Sequence, residues 1–535
     1  MPKQRDIYQV FFLYFLKLNP FNLPYMKKLI QITLFFLLSF QLFAQAFLPR
    51  NTAETQGVSA KGIAEFIQAI EESEHELHSL MVLRNGKVIA EGWWNPYGPE
   101  FRHTMYSVSK SFTATAVGFA VAEGKLTVDD KVVSFFPADL PATVSPNLAA
   151  LRVRDLLTMT VGHGKEPTGT IVQSENWVRA FLNIPIEYPP GTRFMYNTAA
   201  TYMLSAIVQE VTGETVLDYL TPRLLEPLGI EGVDWEKDPQ GINTGGYGLR
   251  LKTEDMAKFG QLFLQQGVWN GKQLLPRDWV EEASTLKIMQ NPNASKEEMA
   301  SSDWLQGYGY QMWRSRHDSY RADGAFGQYI LVLPEQDAVV AITSETRDMQ
   351  GELELVWKHI LPELEKITLQ EAGSITKVLA GLSIAPLEGM ANEELEADIS
   401  GEVYESTDSE GQGVEAFSVD FKENTCGLAL TINGEEHAFT FGSGRWVKGE
   451  TDRKGPYLVA GAKGYLEGLA PFKVAGSYAW IDENTLELQL RYIESPHTEI
   501  IRFDFSEKVA VMEFSNSFNQ SKKQVVFQAL VSEEI

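Results

Sequence analysis

Apolar positions follow two rhythms along this chain, and the change between them divides it. From residue 60 to 365 the helical period dominates, with strand-like runs between helices. Residues 63–70 predict a helix that runs on into an acidic tail, 71–76. Residues 80–83 and 88–90 flank Asn85-Gly86, a hairpin signal. Residues 112–122 are apolar on every side, which marks a buried helix, and Gly124 supplies its stop. A helix over 153–159 follows, then one over 200–211 closed by Gly213 and entered through the Pro189-Pro190-Gly191 turn. Residues 253–264 are amphipathic, with Thr253 as N-cap. Residues 329–333 and 338–344 predict paired strands joined by 334–337, and 353–361 a last helix that Pro362 stops or kinks. Residues 367–390 read as a linker. Beyond them the period falls to two, over 416–421, 428–432, 437–441, 486–492, 499–505 and 509–514. That pattern predicts an antiparallel β domain, barrel or sandwich, over 391–535, and no catalytic motif is found in it.

Length and charge narrow the function. At 535 residues the chain holds two or three domains. A net charge of −25 opposes binding to nucleic acid or anionic lipid and suits a soluble protein handling small molecules. Cys426 is the single cysteine, so no intramolecular disulfide forms. Met26-Lys27-Lys28, an apolar run to Phe43 and Ala44-Gln45-Ala46 have the form of a secretory signal. Residues 1–46 are therefore read as an upstream extension and leader, with Met26 as the true start. Export to the periplasm or beyond is the expectation, with no stable membrane anchor after cleavage. No cofactor is called for. His75 and His78 lack a third zinc ligand and read as a surface pair.

Chemistry concentrates where the buried helix begins. Ser107 lies at the mouth of the apolar run, where free N–H groups and the helix dipole favour negative charge. Lys110 stands three residues on, so its amine rises on the face of the Ser107 hydroxyl. Burial would depress that amine enough to take the serine proton. The Ser-x-x-Lys spacing recurs at Ser284…Lys287 and Ser374…Lys377, both read as linker or solvated residues, so context singles out Ser107. Tyr196 sits on the rigid loop after Pro-Pro-Gly, at a helix start, a position suited to presenting a phenol. His163, in a glycine-flanked turn, reads as structural.

With Ser107-Val-Ser-Lys110, Tyr196-Asn197-Thr198 and a Gly-Gln hairpin (Gly327-Gln328) in this order, residues 60–365 resemble the penicillin-recognising serine hydrolases. Class C β-lactamases, the esterases of that fold and 6-aminohexanoate-dimer hydrolases are the nearest by pattern. Asp129-Asp130, Leu156 to Met159, the Pro-Pro-Gly-Thr turn and residues 249–269 support the match. The resemblance implies an α/β (α+β) fold: a β-lactamase-like antiparallel sheet flanked by helices, plus a helical subdomain, over 47–366. It also implies Ser107 as nucleophile, Lys110 as its base and Tyr196 as proton relay to the leaving group. The backbone N–H groups of Ser107 and Ala325 would form the oxyanion hole, and Asn197, Thr198, Asp323 and Gly324 would meet substrate.

Two departures bear on substrate. Relatives commonly carry Tyr-x-Asn, whereas Asn197 directly follows the tyrosine, so either Asn197 or Thr198 fills that role. Relatives acting on β-lactams carry Lys-Thr-Gly where this chain has Ala322-Asp323-Gly324. A free carboxylate there would repel a substrate carboxylate at 4 Å by about 4 kcal/mol at an effective dielectric near 20. Arg321 and Arg250 are the candidates to restore anion binding. The expectation is an exported hydrolase of small esters or amides working through a Ser107 acyl-enzyme. A β-lactamase or D-amino-acid peptidase, and an inactive ligand-binding receptor of the same fold, remain as alternatives.

Overall fold

The structure is a computed structural model describing residues 47–365, 375–407, 413–506, 509–519 and 523–529. The leader expected over 1–46 and Ser374 lie outside the described residues. From Pro49 onward the chain forms one compact unit. Among the described residues no helix is long and apolar enough to cross a membrane.

The first part is built on a six-stranded antiparallel sheet. Its strands are β1 (Glu76–Arg84), β2 (Lys87–Trp93), β3 (Trp313–Arg314), β4 (Tyr320–Gly324), β5 (Gln328–Leu333) and β6 (Ala338–Glu345), in the order β2-β1-β6-β5-β4-β3. The N-terminal hairpin thus pairs with the last strand of the domain, Leu80 opposite Ile342 and Val82 opposite Val340. β6 is buried along nearly its whole length because helices cover both faces, which is why it reads as a continuous apolar run. On one face lies helix α1 (Ala60–Glu71), turning Ile63, Phe66, Ile67 and Ile70 inward beside Val356, Trp357 and Ile360 of the last helical segment. The other face takes helix α4 (Thr253–Leu264), where Gly260 lies so close to Val339 and Ile330 that a Cβ would approach them at 2.6 and 2.8 Å. Helices α2 (Ser109–Ala122) and α3 (Thr198–Thr212) pack together in the helical subdomain. α2 is buried from Ser109 to Ala120, as its uncharged sequence requires.

Three expectations change here. The helix ends at Glu71 and does not run on through the acidic tail, which turns towards strand β1 at Glu76; His78 is buried, 3.0 Å from His103 and stacked on Tyr97 at 3.8 Å, and is not half of a surface pair. Short apolar runs do not separate helix from strand, and pairing with β6 decided this one. The described part of the expected linker, 375–390, is also not free chain. Its Leu382 lies buried against the sheet, and Ser383 forms a parallel bridge to Asn95.

The second part is a closed barrel of nine strands. Strands β7 (Val403–Ser406), β8 (Val414–Lys422), β9 (Thr425–Ile432) and β10 (Glu435–Ser443) continue through β12 (Phe472–Trp480), β13 (Thr485–Tyr492), β14 (Thr498–Asp504), β15 (Val509–Asn516) and β16 (Lys523–Ala529). Neighbours are antiparallel except at the seam, where Phe441 and Ser443 pair in parallel with Gly476 and Tyr478. β11 (Val447–Thr451) flanks β12 at that seam. Closure leaves no sheet edge around the ring, which resolves barrel against sandwich.

Candidate active site

The segment His103–Thr104 pairs with Leu249–Leu251 and leads through Met105 into a short 3₁₀ turn, Tyr106–Val108, ahead of α2. Ser109 Oγ donates to the Tyr106 carbonyl at 2.6 Å and accepts from Leu249 N at 3.2 Å, fixing that turn to the strand behind it. Between His103 and Lys110, Ser107 is the one residue not fully buried. Ser107 is therefore the part of this segment open to solvent while its neighbours hold it.

Lys110, 1% exposed, places Nζ 2.9 Å from Ser107 Oγ and 2.7 Å from the carbonyl of Gly246. A Cβ at Gly246 would come within 2.7 Å of Thr198 Cγ2 and 3.5 Å of Nζ, so the absence of a side chain lets the backbone reach the amine. Burial pulls the amine down to about 7, while the carboxylates of Glu166 and Asp323 oppose that shift. The ammonium state is thus disfavoured near neutrality, and the amine can accept a proton. Its nitrogen also lies 4.9 Å from the centre of the Tyr196 ring. The Tyr196 phenol is raised above its ordinary value chiefly by burial, with Asp323 adding to the rise and a hydrogen bond with Ser107 opposing it. It stays protonated, within reach of the serine hydroxyl, and its ring stacks on Trp313 at 5.4 Å.

The turn expected to supply the second oxyanion donor is held firmly. Gly324 ends β4 against the backbone leading to Ser107, where a Cβ would meet the Met105 carbonyl at 2.2 Å. Ala325 follows as the first, partly exposed residue of the 325–327 turn. Gln328 ties that turn down, donating to the carbonyls of Ala325 at 3.2 Å and Ser344 at 2.7 Å. Donors held this way act without reorganisation when charge develops.

Of the residues expected to meet substrate, Asn197 is 0% exposed: its Oδ1 accepts from Ala200 N at 3.0 Å as the N-cap of α3, and its Nδ2 lies 3.1 Å from His163 Nδ1. That leaves it a positioning task beneath Tyr196. His163 belongs to the same buried pair, and burial depresses it to about 4. Thr198 is partly exposed, its N–H bound to Glu166 Oε1 at 3.0 Å. Glu166, an exposed loop residue, carries no sequence signal for this place. Asp323 is buried, and its carboxylate is not free. Arg321, 0% exposed, binds it through Nε at 3.0 Å and Nη2 at 2.9 Å, and Trp313 adds a hydrogen bond. The expected repulsion from a lone negative charge is therefore corrected: the pair is close to neutral. Nor are the arginines available to anions, because Arg321 is spent on Asp323 and Arg250 on Asp234 and Glu494. Removing one member of a buried pair strands the other, so Asp323→Ala is expected to lose about 3–5 kcal/mol of stability. Urea unfolding measures this; a change under about 1 kcal/mol would mean that water already screens the pair.

The barrel part, whose sequence holds no catalytic motif, reaches the segment that carries Ser107. Its loop between β11 and β12 stacks Tyr457 on Tyr106 at 5.1 Å. Gln173 Nε2 and Lys463 N fasten the same loop by bonds to Gly461 O at 2.7 Å and Val172 O at 2.9 Å. Among the described residues no group of His, Cys, Asp and Glu is arranged to hold a metal ion.

The family model described as Beta-lactamase matches residues 66–363, which contain every element of this site. The chain belongs to the beta-lactamase family. This family of serine hydrolases has amidase, esterase and peptidase members. The 6-aminohexanoate-dimer hydrolase of Paenarthrobacter ureafaciens is 25% identical over 291 residues, covering 50% of this chain and 73% of that protein. The D-aminopeptidase of Brucella anthropi is 26% identical over 168 residues, 29% of this chain and 31% of that one. Among solved structures, the octameric penicillin-binding protein homologue from Pyrococcus abyssi is 17% identical with a TM-score of 0.46, covering 87% of this chain and 99% of that one.

Proposed function

We propose that this beta-lactamase family member cleaves small esters or amides through an acyl-enzyme on Ser107. The observation that carries the reading is the 2.9 Å contact between Ser107 Oγ and a buried lysine amine whose other contact is a carbonyl. The neutral amine takes the hydroxyl proton as Oγ attacks the substrate carbonyl. The N–H groups of Ser107 and Ala325 receive the oxyanion, where a single donor is worth about 3 kcal/mol. Tyr196 passes a proton to the departing alcohol or amine. Water then attacks the acyl-enzyme with the same groups working in reverse. The leader over residues 26–46 supports export as part of this proposal.

The substrate side rests on the Arg321–Asp323 pair. A cation is missing from the place where a carboxylate-bearing substrate needs one, and the wall there is aromatic, with Tyr196, Trp313 and Tyr308 in mutual contact. Neutral acyl groups fit that surface better than β-lactam or D-Ala-D-Ala carboxylates. p-Nitrophenyl acetate, a D-alanyl anilide and nitrocefin assayed in parallel test this. Ester turnover that disappears in Ser107→Ala, with slow nitrocefin turnover, is the expected outcome; rapid nitrocefin turnover overturns the substrate assignment.

The acylation rate should also follow the Lys110 amine. Protonation blocks the base, so kcat/KM for the ester is expected to fall below pH 7 and to reach a plateau above it, with a midpoint at about 7. A profile still rising at pH 9 would contradict a buried neutral amine.

A further inference from the structure

The barrel grips the nucleophile segment through one hairpin tip, residues 493–497, between β13 and β14. The Glu494 carbonyl accepts from Thr104 N at 2.9 Å and from Thr104 Oγ1 at 3.1 Å. The Glu494 carboxylate binds Arg102, the residue just before His103–Thr104, at 3.1 Å and Arg250, on the strand paired with that segment, at 3.3 Å. Two residues after Thr104 stands Tyr106, whose hydroxyl is 2.5 Å from His497 Nε2. His497 Nδ1 lies in turn 3.1 Å from Glu345 Oε1, at the end of β6.

Proton placement along this chain is determined by what each atom can do. A carboxylate only accepts, so Nδ1 carries the hydrogen; Nε2 is then an acceptor, and the Tyr106 hydroxyl donates to it. Leu458 N, 3.4 Å away, donates to the phenol oxygen from the other side. The ring is boxed by Tyr457 at 5.1 Å and by Phe326, the residue after Ala325, at 5.7 Å.

This box surrounds a backbone that needs holding. Tyr106 has φ of 45°, a left-handed conformation in a bulky residue immediately before Ser107. Such strain costs about 1–3 kcal/mol and persists only where the surroundings enforce it. Here Tyr457, His497 and Leu458 N, all from the barrel part, add to the hold of Ser109 and Phe326 on that residue. Relaxation of Tyr106 would swing the next residue, and with it the hydroxyl that must sit 2.9 Å from the Lys110 amine.

We propose that His497 is a positioning residue for hydrolysis: by binding Tyr106 it holds Ser107 in register with Lys110, so the barrel completes the active site. The proposal rests on Ser107 being the nucleophile. It makes the two parts of the chain one catalytic unit, although His497 touches no substrate.

The test uses the full-length protein with His497→Ala, His497→Gln and Tyr106→Phe. Three quantities are read: the rate of inactivation by a fluorophosphonate, kcat and KM for p-nitrophenyl acetate, and hydrogen exchange of the peptide spanning 104–110. Misplacing a reacting group by about 1 Å costs up to about 100-fold, so His497→Ala should slow inactivation and kcat about 10- to 100-fold with KM within about two-fold of the parent. Exchange over 104–110 should accelerate. Glutamine offers an acceptor to Tyr106 and a donor to Glu345, and should restore most of both losses. Inactivation within about two-fold of the parent in His497→Ala, or a loss as large in His497→Gln, overturns the proposal. If His497→Ala does not fold, Tyr106→Phe keeps the ring and removes only the hydrogen bond; it should slow inactivation about 10-fold, and an unchanged rate overturns the proposal. If the parent itself is not labelled, the hydrolase reading fails separately, and the exchange data alone decide: unaltered protection in His497→Ala overturns the positioning role.

Discussion

Lys110→Met is expected to abolish ester turnover, by about 10³-fold or more, while making the protein more stable at neutral pH. The two effects share one cause. The amine is buried beside a carbonyl and a hydroxyl, and burial lowers it from 10.5 to about 7. In the unfolded chain it holds its proton until about pH 10.5, whereas the folded chain releases it near 7. Folding is therefore penalised below pH 10.5, increasingly so as pH falls, and fully below 7. Methionine fills similar space and carries no charge to desolvate, so the penalty disappears along with the base. Thermal unfolding of both proteins between pH 6 and 10 should show the variant ahead at the acid end and the curves converging towards the alkaline end. An inactive variant that is also less stable throughout would mean that Lys110 is chiefly a structural tether to Gly246.

Tyr196→Phe is expected to reduce kcat/KM about 10²–10³-fold for amides and much less for p-nitrophenyl esters. The phenol is hydrogen-bonded with Ser107 and stays protonated by virtue of its burial. An amine cannot leave as an anion and needs a proton delivered; nitrophenolate leaves without one. Phenylalanine preserves the stack on Trp313, so the loop should stay in place and the melting temperature should change little. Equal losses on amide and ester would transfer the tyrosine's role from the leaving group to the attacking hydroxyl.

How legible this was depended on how local each signal is. The buried helix α2, the Asn85-Gly86 hairpin and the β5–β6 hairpin were readable because each states its own period and its own turn. Ser107 and Lys110 were readable for the same reason, one turn apart at a helix start. The Arg321–Asp323 pair was also within reach: residues two apart on a strand share a face, so the carboxylate's partner was next to it. Glu166 and the Gly246 carbonyl come from loops without periodicity and enter the site only through tertiary packing. In the barrel, Phe472–Trp480 escaped notice because it is buried on both faces and so shows no period of two, and Val403–Ser406 because it is only 4 residues long. His497 had no signal at all. A lone histidine in a hairpin tip acquires meaning only when the other part of the chain places Tyr106 opposite it.

Hydrolysis by this protein depends on Ser107 being a nucleophile activated by Lys110. Folded protein treated with a fluorophosphonate and mapped by peptide mass spectrometry tests this most directly. One adduct, on Ser107, forming faster as pH rises through about 7 and missing from Lys110→Met, is the predicted result. An unmodified Ser107 in folded protein, or an adduct confined to another residue, would contradict it.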